Sequence, residues 1–212
     1  MKRRNKMALA AAVLGLTTMA LSSGVSAADA EKLEISVTGG GEDSMQLNTA
    51  TSGFLNGLSA LRHLYEGLYK LDANGEVVLG QAASVEESDD KLTWTFHIND
   101  KACFSNGTKL TGELAAASIQ RTFEKAARAK SMFEYESIKG EGQNVIIKTK
   151  KPVPTLPGML GDPLFIIVDT QTIKDRDTAK QGAICTGPYT VKSYSKAKAE
   201  MVRNEKYWDG AV

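Results

Sequence analysis

Apolar and polar positions alternate along much of this chain, and the alternating runs read as short strands. Leu33-Glu34-Ile35-Ser36-Val37-Thr38 is the first. Leu92-Thr93-Trp94-Thr95-Phe96-His97-Ile98 alternates more cleanly and follows a hairpin turn at Asp89-Asp90. Ile138 and Val145-Ile146-Ile147 predict a further hairpin, turning through Gly140 and Gly142-Gln143-Asn144. Helical spacing appears over residues 54–69, in Leu58, Leu61, Leu64 and Tyr65. A second helix starts after Thr111 as its cap and runs to about Arg128, with Ala115, Ile119, Phe123 and Ala126 on one face. Pro152, Pro154 and Pro157 punctuate a short helix around residues 156–160. The unbroken apolar run Leu164-Phe165-Ile166-Ile167-Val168 predicts a buried strand. Asp72-Ala73-Asn74-Gly75 and Phe104-Ser105-Asn106-Gly107-Thr108 read as turns.

The end of the chain is the most patterned stretch. Thr186-Gly187-Pro188 makes a turn, because glycine reaches backbone angles closed to other residues and proline fixes its own φ. Tyr189, Val191 and Tyr194 then form the apolar face of a strand. Met201 and Val202 begin the return strand, and residues 204–210 close in another turn. Tyr207 and Trp208 are large enough to cover an edge of the core.

The first residues do not fit a globular pattern. Lys2, Arg3, Arg4 and Lys6 precede an apolar run at residues 7–21, and small residues follow to Val25-Ser26-Ala27. This predicts a secretory signal peptide over residues 1–27, too short in its apolar part to span a bilayer. Asn5-Lys6-Met7 supplies no hydrophobic pattern after Arg3-Arg4, which favours general secretion over twin-arginine export. There is no cysteine beside the cleavage site, so the expected product is soluble, in the periplasm or outside the cell envelope. The leader holds four of the 26 basic residues and none of the 25 acidic ones, so the remainder carries a net charge of −3. That balance gives no reason to expect nucleic acid or anionic lipid as a partner. Cys103 and Cys185 permit either one disulfide closing a long loop or two separate buried thiols.

Catalysis has little to stand on. The two histidines, His63 and His97, show no spacing with each other or with the cysteines that would suit a metal. No G-x-S-x-G elbow occurs. Glu86-Glu87 and Asp89-Asp90 read as a solvated turn. Gly39-Gly40-Gly41 lacks the downstream Gly-Lys-Ser/Thr of a phosphate cradle, and by itself reads as a plain connection. No enzyme, no metal and no cofactor is expected.

Several of these stretches together carry a resemblance. Cys185-Thr186-Gly187-Pro188-Tyr189, a hairpin, and Arg203-Asn204-Glu205-Lys206-Tyr207-Trp208-Asp209-Gly210 resemble the extracellular solute-binding proteins of the peptide and nickel ABC-importer family (family 5, cluster C). The resemblance reaches back through Tyr65-Glu66-Gly67-Leu68, Asp72 to Gly75, Trp94-Thr95-Phe96, Phe104 to Gly107 and Leu110-Thr111. Three departures stand out: Gly80 where the family usually has proline, Gly112-Glu113 in place of Ala-x-Asp, and Cys185 where glycine is common.

The resemblance implies an α/β (α+β) fold, a type II periplasmic-binding-protein-like lobe I with its small subdomain, incomplete because the second lobe is missing. It implies a first strand and ligand loop at 28–52, a small subdomain at 53–160 and a return to lobe I at 161–212, in a truncated chain or fragment. It implies a monomer that captures an oligopeptide or similar small solute and delivers it to an ABC permease and ATPase. Alternatives are a nickel-chelate binder, a sensory module, or a remnant without function. Nickel-chelate relatives hold carboxylates with arginine, and residues 160–165 offer none. Thr38, Gly39, Gly40, Gly41, Gln46 and Tyr65 are the implied ligand contacts, with Tyr65 equally readable as core.

Overall fold

The computed structural model describes residues 32–36, 61–171, 184–195 and 198–210. The expected leader, the glycine loop, Gln46 and Leu58 lie outside them. Among the described residues no helix is long and apolar enough to cross a membrane.

Nine strands form three antiparallel sheets among these residues. The largest takes β4 (Ala82–Glu87), β5 (Thr93–Ile98), β6 (Tyr135–Glu141) and β7 (Asn144–Thr149), in the order β4-β5-β7-β6. The period-2 pattern seen in the sequence sets its faces. Trp94, Phe96 and Ile98 of β5 are buried, as are Val145 and Ile147 of β7, and Trp94 lies opposite Ile147 and Phe96 opposite Val145. Helix α1 (Gly112–Lys125) packs on β6 and β7 with Ala115, Ile119 and Phe123 buried. The Thr111 hydroxyl caps it by accepting from Leu114 N at 3.4 Å. Burying side chains of this size contributes roughly 1.5–3 kcal/mol each.

The departure at Gly112-Glu113 has a local reason. Gly112 N donates to Gly142 O, and Gly142 N donates to Glu113 Oε1, both at 2.8 Å. The start of α1 therefore lies directly on the β6–β7 turn. A Cβ on Gly112 would overlap the Asn144 backbone, and one on Gly140 the Glu113 backbone. The helix itself stops earlier than its spacing suggests: Ala126 is extended, and a short α2 (Ala127–Met132) follows.

The short helix appears as α3 (Leu156–Leu160). The apolar run after it is buried, as expected, but it is not a ladder strand. Pro163–Phe165 is a 3-10 turn, entered through Asp162, whose Oδ1 accepts from Leu164 N at 3.0 Å. Beyond it the backbone bonds to other elements: Ile167 N donates to Glu66 O at 2.9 Å, and Val168 N donates to Ser118 Oγ on α1 at 3.0 Å. Burial made the run look like a strand, but its partners are a loop and a side chain. Phe165 also joins Phe123, Phe133 and Tyr135 in an aromatic cluster with ring centroids 4.7–5.9 Å apart.

The first predicted helix ends at Leu64, and Tyr69 already belongs to β2 (Tyr69–Leu71). β2 pairs with β3 (Val77–Leu79) around a turn in which Asp72 Oδ1 accepts from Asn74 N and Glu76 N, each at 2.8 Å. This hairpin carries the exposed large apolar residues Leu71, Val77 and Leu79. The third sheet joins the two ends of the described chain in the order β1-β9-β8, with β1 (Lys32–Ser36), β8 (Tyr189–Ser195) and β9 (Lys198–Arg203). A bulge between Val191 and Ser193 explains the uneven spacing of its apolar positions. It sets Val191 opposite Met201 and Tyr194 opposite Ala199, so positions 191 and 194 stay in phase across one extra residue.

Candidate functional site

The motif segments converge on one buried carboxylate. Glu66 is 6 % exposed, in the extended stretch between the helical turn at 61–64 and β2. Its Oε1 accepts from Tyr207 OH at 2.6 Å and from Lys70 Nζ at 2.8 Å. Its Oε2 accepts from Gln81 Nε2 at 2.8 Å. Three donors satisfy a charge that would otherwise be costly to bury. The Thr186 hydroxyl accepts from Glu66 N at 3.1 Å, and its proton can reach Ile167 O at 3.2 Å or Glu66 O at 3.3 Å.

Gly187 is fixed by space. Its N–H donates to Leu64 O at 2.9 Å, and an added Cβ would stand 2.7 Å from Leu64 C and 2.8 Å from Tyr65 N. Those are backbone atoms, which cannot swing aside. Asn204 then locks the return strand: its Nδ2 donates to Gly187 O at 2.9 Å, and its N–H donates to Pro188 O at 2.8 Å. The motif thus joins residues more than a hundred positions apart through hydrogen bonds, and Tyr189 packs its ring edge-on to His63.

Lys70 extends this network outward. Its Nζ also lies 3.3 Å from Asp209 Oδ2 and from Tyr207 OH. Burial alone would lower the Lys70 pKa, but hydrogen bonds and charge from Glu66 and Asp209 outweigh it and raise the value. Burial, together with the Glu66 and Asp209 carboxylates, pushes the Tyr207 phenol far above its ordinary value.

A cavity of about 390 Å³ opens beside this network, walled by the 61–64 turn, β2, residues 161–163 and the 207–209 turn. A second, of about 430 Å³, adjoins it, and the two share Arg62, Leu71, Gly161, Asp162 and Pro163. Residues 160–165 have no arginine of their own, yet the fold brings two to them. Arg128 donates to Asp162, and Arg62 lines both cavities.

The predicted residues divide. Thr38, Gly39, Gly40, Gly41 and Gln46 lie outside the described residues. Tyr65 is 1 % exposed yet forms part of the first cavity's wall, so core and wall coincide in it. Thr186, Gly187, Pro188, Tyr189, Asn204 and Tyr207 come together in or beside the Glu66 network. Trp208 packs against the main core, Arg203 is half-buried on β9, and Gly210 takes a left-handed φ of 87° in the last turn. The cysteines are two thiols and not a bridge. Cys103 Sγ points at Lys206 O, 3.1 Å away, and Cys185 Sγ at Tyr189 O, 3.4 Å away. His97 is half-buried, with Nδ1 3.0 Å from Asn144 Oδ1 across the β5–β7 ladder. Among the described residues no group of three or more His, Cys, Asp or Glu is placed to hold a metal.

From sequence, Glu66 enters only as part of the resemblance at Tyr65 to Leu68, with no role, and Gln81, Lys70 and Arg62 are given none. A glutamate inside the apolar phrase Leu64 to Leu68 is a signal for Glu66, since a buried acid needs donors. Nothing local marks the others.

Comparison with known proteins agrees with this architecture. A nickel-binding protein, NikA, of Staphylococcus aureus is 31% identical over 146 residues, covering 68% of this chain and 29% of its own. A periplasmic oligopeptide-binding protein, OppA, of Escherichia coli is 28% identical over 177 residues, covering 71% of this chain and 32% of its own. The crystal structure of S. aureus NikA in complex with Ni(L-His)2 superposes with a TM-score of 0.64 at 29% identity, over 70% of this chain and 31% of that one. The described elements accordingly have the α/β fold of type II periplasmic-binding-like proteins, and the chain spans about three tenths of the length of the curated relatives it matches. The family model for bacterial extracellular solute-binding proteins, family 5 (middle), matches residues 76–212, and the chain belongs to that family.

Proposed function

We propose that the protein carrying this chain is the solute-capturing component of an ABC importer. It is exported by its N-terminal leader, works as a soluble monomer outside the inner membrane, and hands an oligopeptide or similar small solute to a permease and its ATPase. The observation that supports this best is the Glu66 network. The family motif folds into a hydrogen-bonded wall of the first of two adjoining cavities, each of a size suited to a small solute. Closure of a second lobe over that wall would enclose the solute in the hinge manner of two-lobed binders. Residues 38–46 and Tyr65 are the proposed contacts from this part of the protein. The role requires no chemistry on the solute, only enclosure and release.

A second reading, capture of a nickel chelate, is favoured by one observation. The 31%-identical relative is a nickel-binding protein, and its structure holds Ni(L-His)2. Arg62 brings to both cavities an arginine that residues 160–165 lack, whereas Arg128 is already paired with Asp162.

Calorimetry on the full protein isolated from its source separates the two. Micromolar or tighter binding of trialanine with no heat from Ni(L-His)2 is the expected result. The reverse replaces the first reading with the second, and no binding of either overturns both.

A further inference from the structure

The two cavities meet along a shared wall, and nearly all the charges that line them are answered from within. Glu66 is held by Lys70, Tyr207 and Gln81. Asp209 faces Lys70. Asp162 takes Arg128 and the N–H of Leu164. Asp72 is occupied by the N–H groups of its own turn. Arg62 is different. It is exposed and lines both cavities, and its guanidinium takes part in no ion pair or hydrogen bond among the described residues.

We propose that Arg62 is the anion-anchoring residue of the solute site, its guanidinium receiving a carboxylate of a solute that lies in the joined cavities. The proposal rests on the reading of these cavities as part of the solute site. A guanidinium presents a planar fork that matches a carboxylate bidentately. Its backbone is held in place, because Arg62 sits in the helical turn at 61–64 between the buried Leu61 and the half-buried His63, with Leu64 and Tyr65 buried just beyond. The cation is therefore brought to the wall before the solute arrives, which reduces the ordering cost of binding. A peptide's C-terminus and an amino-acid chelator of a metal share this carboxylate, so the assignment holds for either source.

The competing role is structural: a cation near a helix C-terminus is stabilised by the carbonyls there. Ligand preference separates the two roles. The full protein, wild type and the R62A and R62Q variants, would be titrated with trialanine and trialanine amide, and with nickel(II) bis-complexes of L-histidine and of histidinamide. Wild type is expected to favour the carboxylate form of one class by on the order of tenfold or more. Both variants should bring that ratio near one while leaving the amide's affinity in place. An unchanged ratio in either variant, equal loss of both forms with a lowered melting temperature, or no preference in wild type overturns Arg62 as the anchor. Binding of neither class by wild type overturns the functional reading itself, and the anchor falls with it. The class that shows the preference identifies the source of the carboxylate.

Discussion

The α1-on-sheet layer and the Glu66 network are both buried, yet they are built in opposite ways. In the layer, Phe96, Ile98, Val145, Ile147, Ile119 and Phe123 are brought together by strand and helix periods, and their stability comes from area removed from water. In the network the central groups are Glu66, Gln81, Thr186, Asn204 and Tyr207, and the contacts are hydrogen bonds between segments far apart in the chain. The layer can tolerate exchange among apolar residues of like volume. The network cannot exchange its members freely, because its hydrogen bonds pair buried groups with one another, and removing one leaves its partner buried and unmet.

The largest expected effect tests the layer. F96A removes a ring with no exposed surface that stacks on Trp94 at 6.4 Å and meets Tyr69 edge-on at 6.2 Å. A loss of about 3–5 kcal/mol is expected in urea denaturation. A loss below about 1.5 kcal/mol would mean that the layer is not held chiefly by its core.

G187A sharpens the contrast, because it adds apolar volume and should still destabilise, by about 2–4 kcal/mol. The new Cβ would press on the Leu64 carbonyl, 2.7 Å away, a backbone group held by Gly187's own hydrogen bond. Neutral behaviour in the same denaturation series would show that the wall can yield.

Y207F is the mildest, at about 1–2 kcal/mol near neutral pH, since it removes one hydroxyl that donates to a carboxylate. Its pH dependence is the sharper test. The Tyr207 phenol is raised in the folded protein, by burial first and then by the Glu66 and Asp209 charges. Above about pH 10 the unfolded chain releases this proton before the folded one does. The stability Tyr207 contributes is therefore complete below about pH 10 and falls as pH rises toward its folded value. The gap between wild type and Y207F should narrow from pH 9 to pH 11, and a constant gap would show that the phenol is not held by this carboxylate.

Legibility followed the range of the forces. β5, β7, α1 and its Thr111 cap could be read directly, because side-chain alternation, helical spacing and capping are fixed within a few residues. The run at 164–168 was readable as buried and misread as a strand, since periodicity reports burial and not the identity of the hydrogen-bond partner. The spacing of Tyr189, Val191 and Tyr194 was readable, but the bulge that keeps it in phase required the register against β9. The motif residues were legible as a family resemblance, while their physical role was not: Thr186 reaches back to Glu66, and Asn204 clamps Gly187.

The sequence by itself determined the local elements, the turns and the membership of a family, because those depend on short-range pattern and on residues that allow little exchange. Only the tertiary structure decided that Glu66 is the hub of the motif, that Arg128 is spent on Asp162, and that Arg62 alone among the cavity's described cations is left without a partner. Those facts depend on which distant segments are neighbours, and a charge takes its meaning from the groups within a few ångströms of it, which no local pattern records.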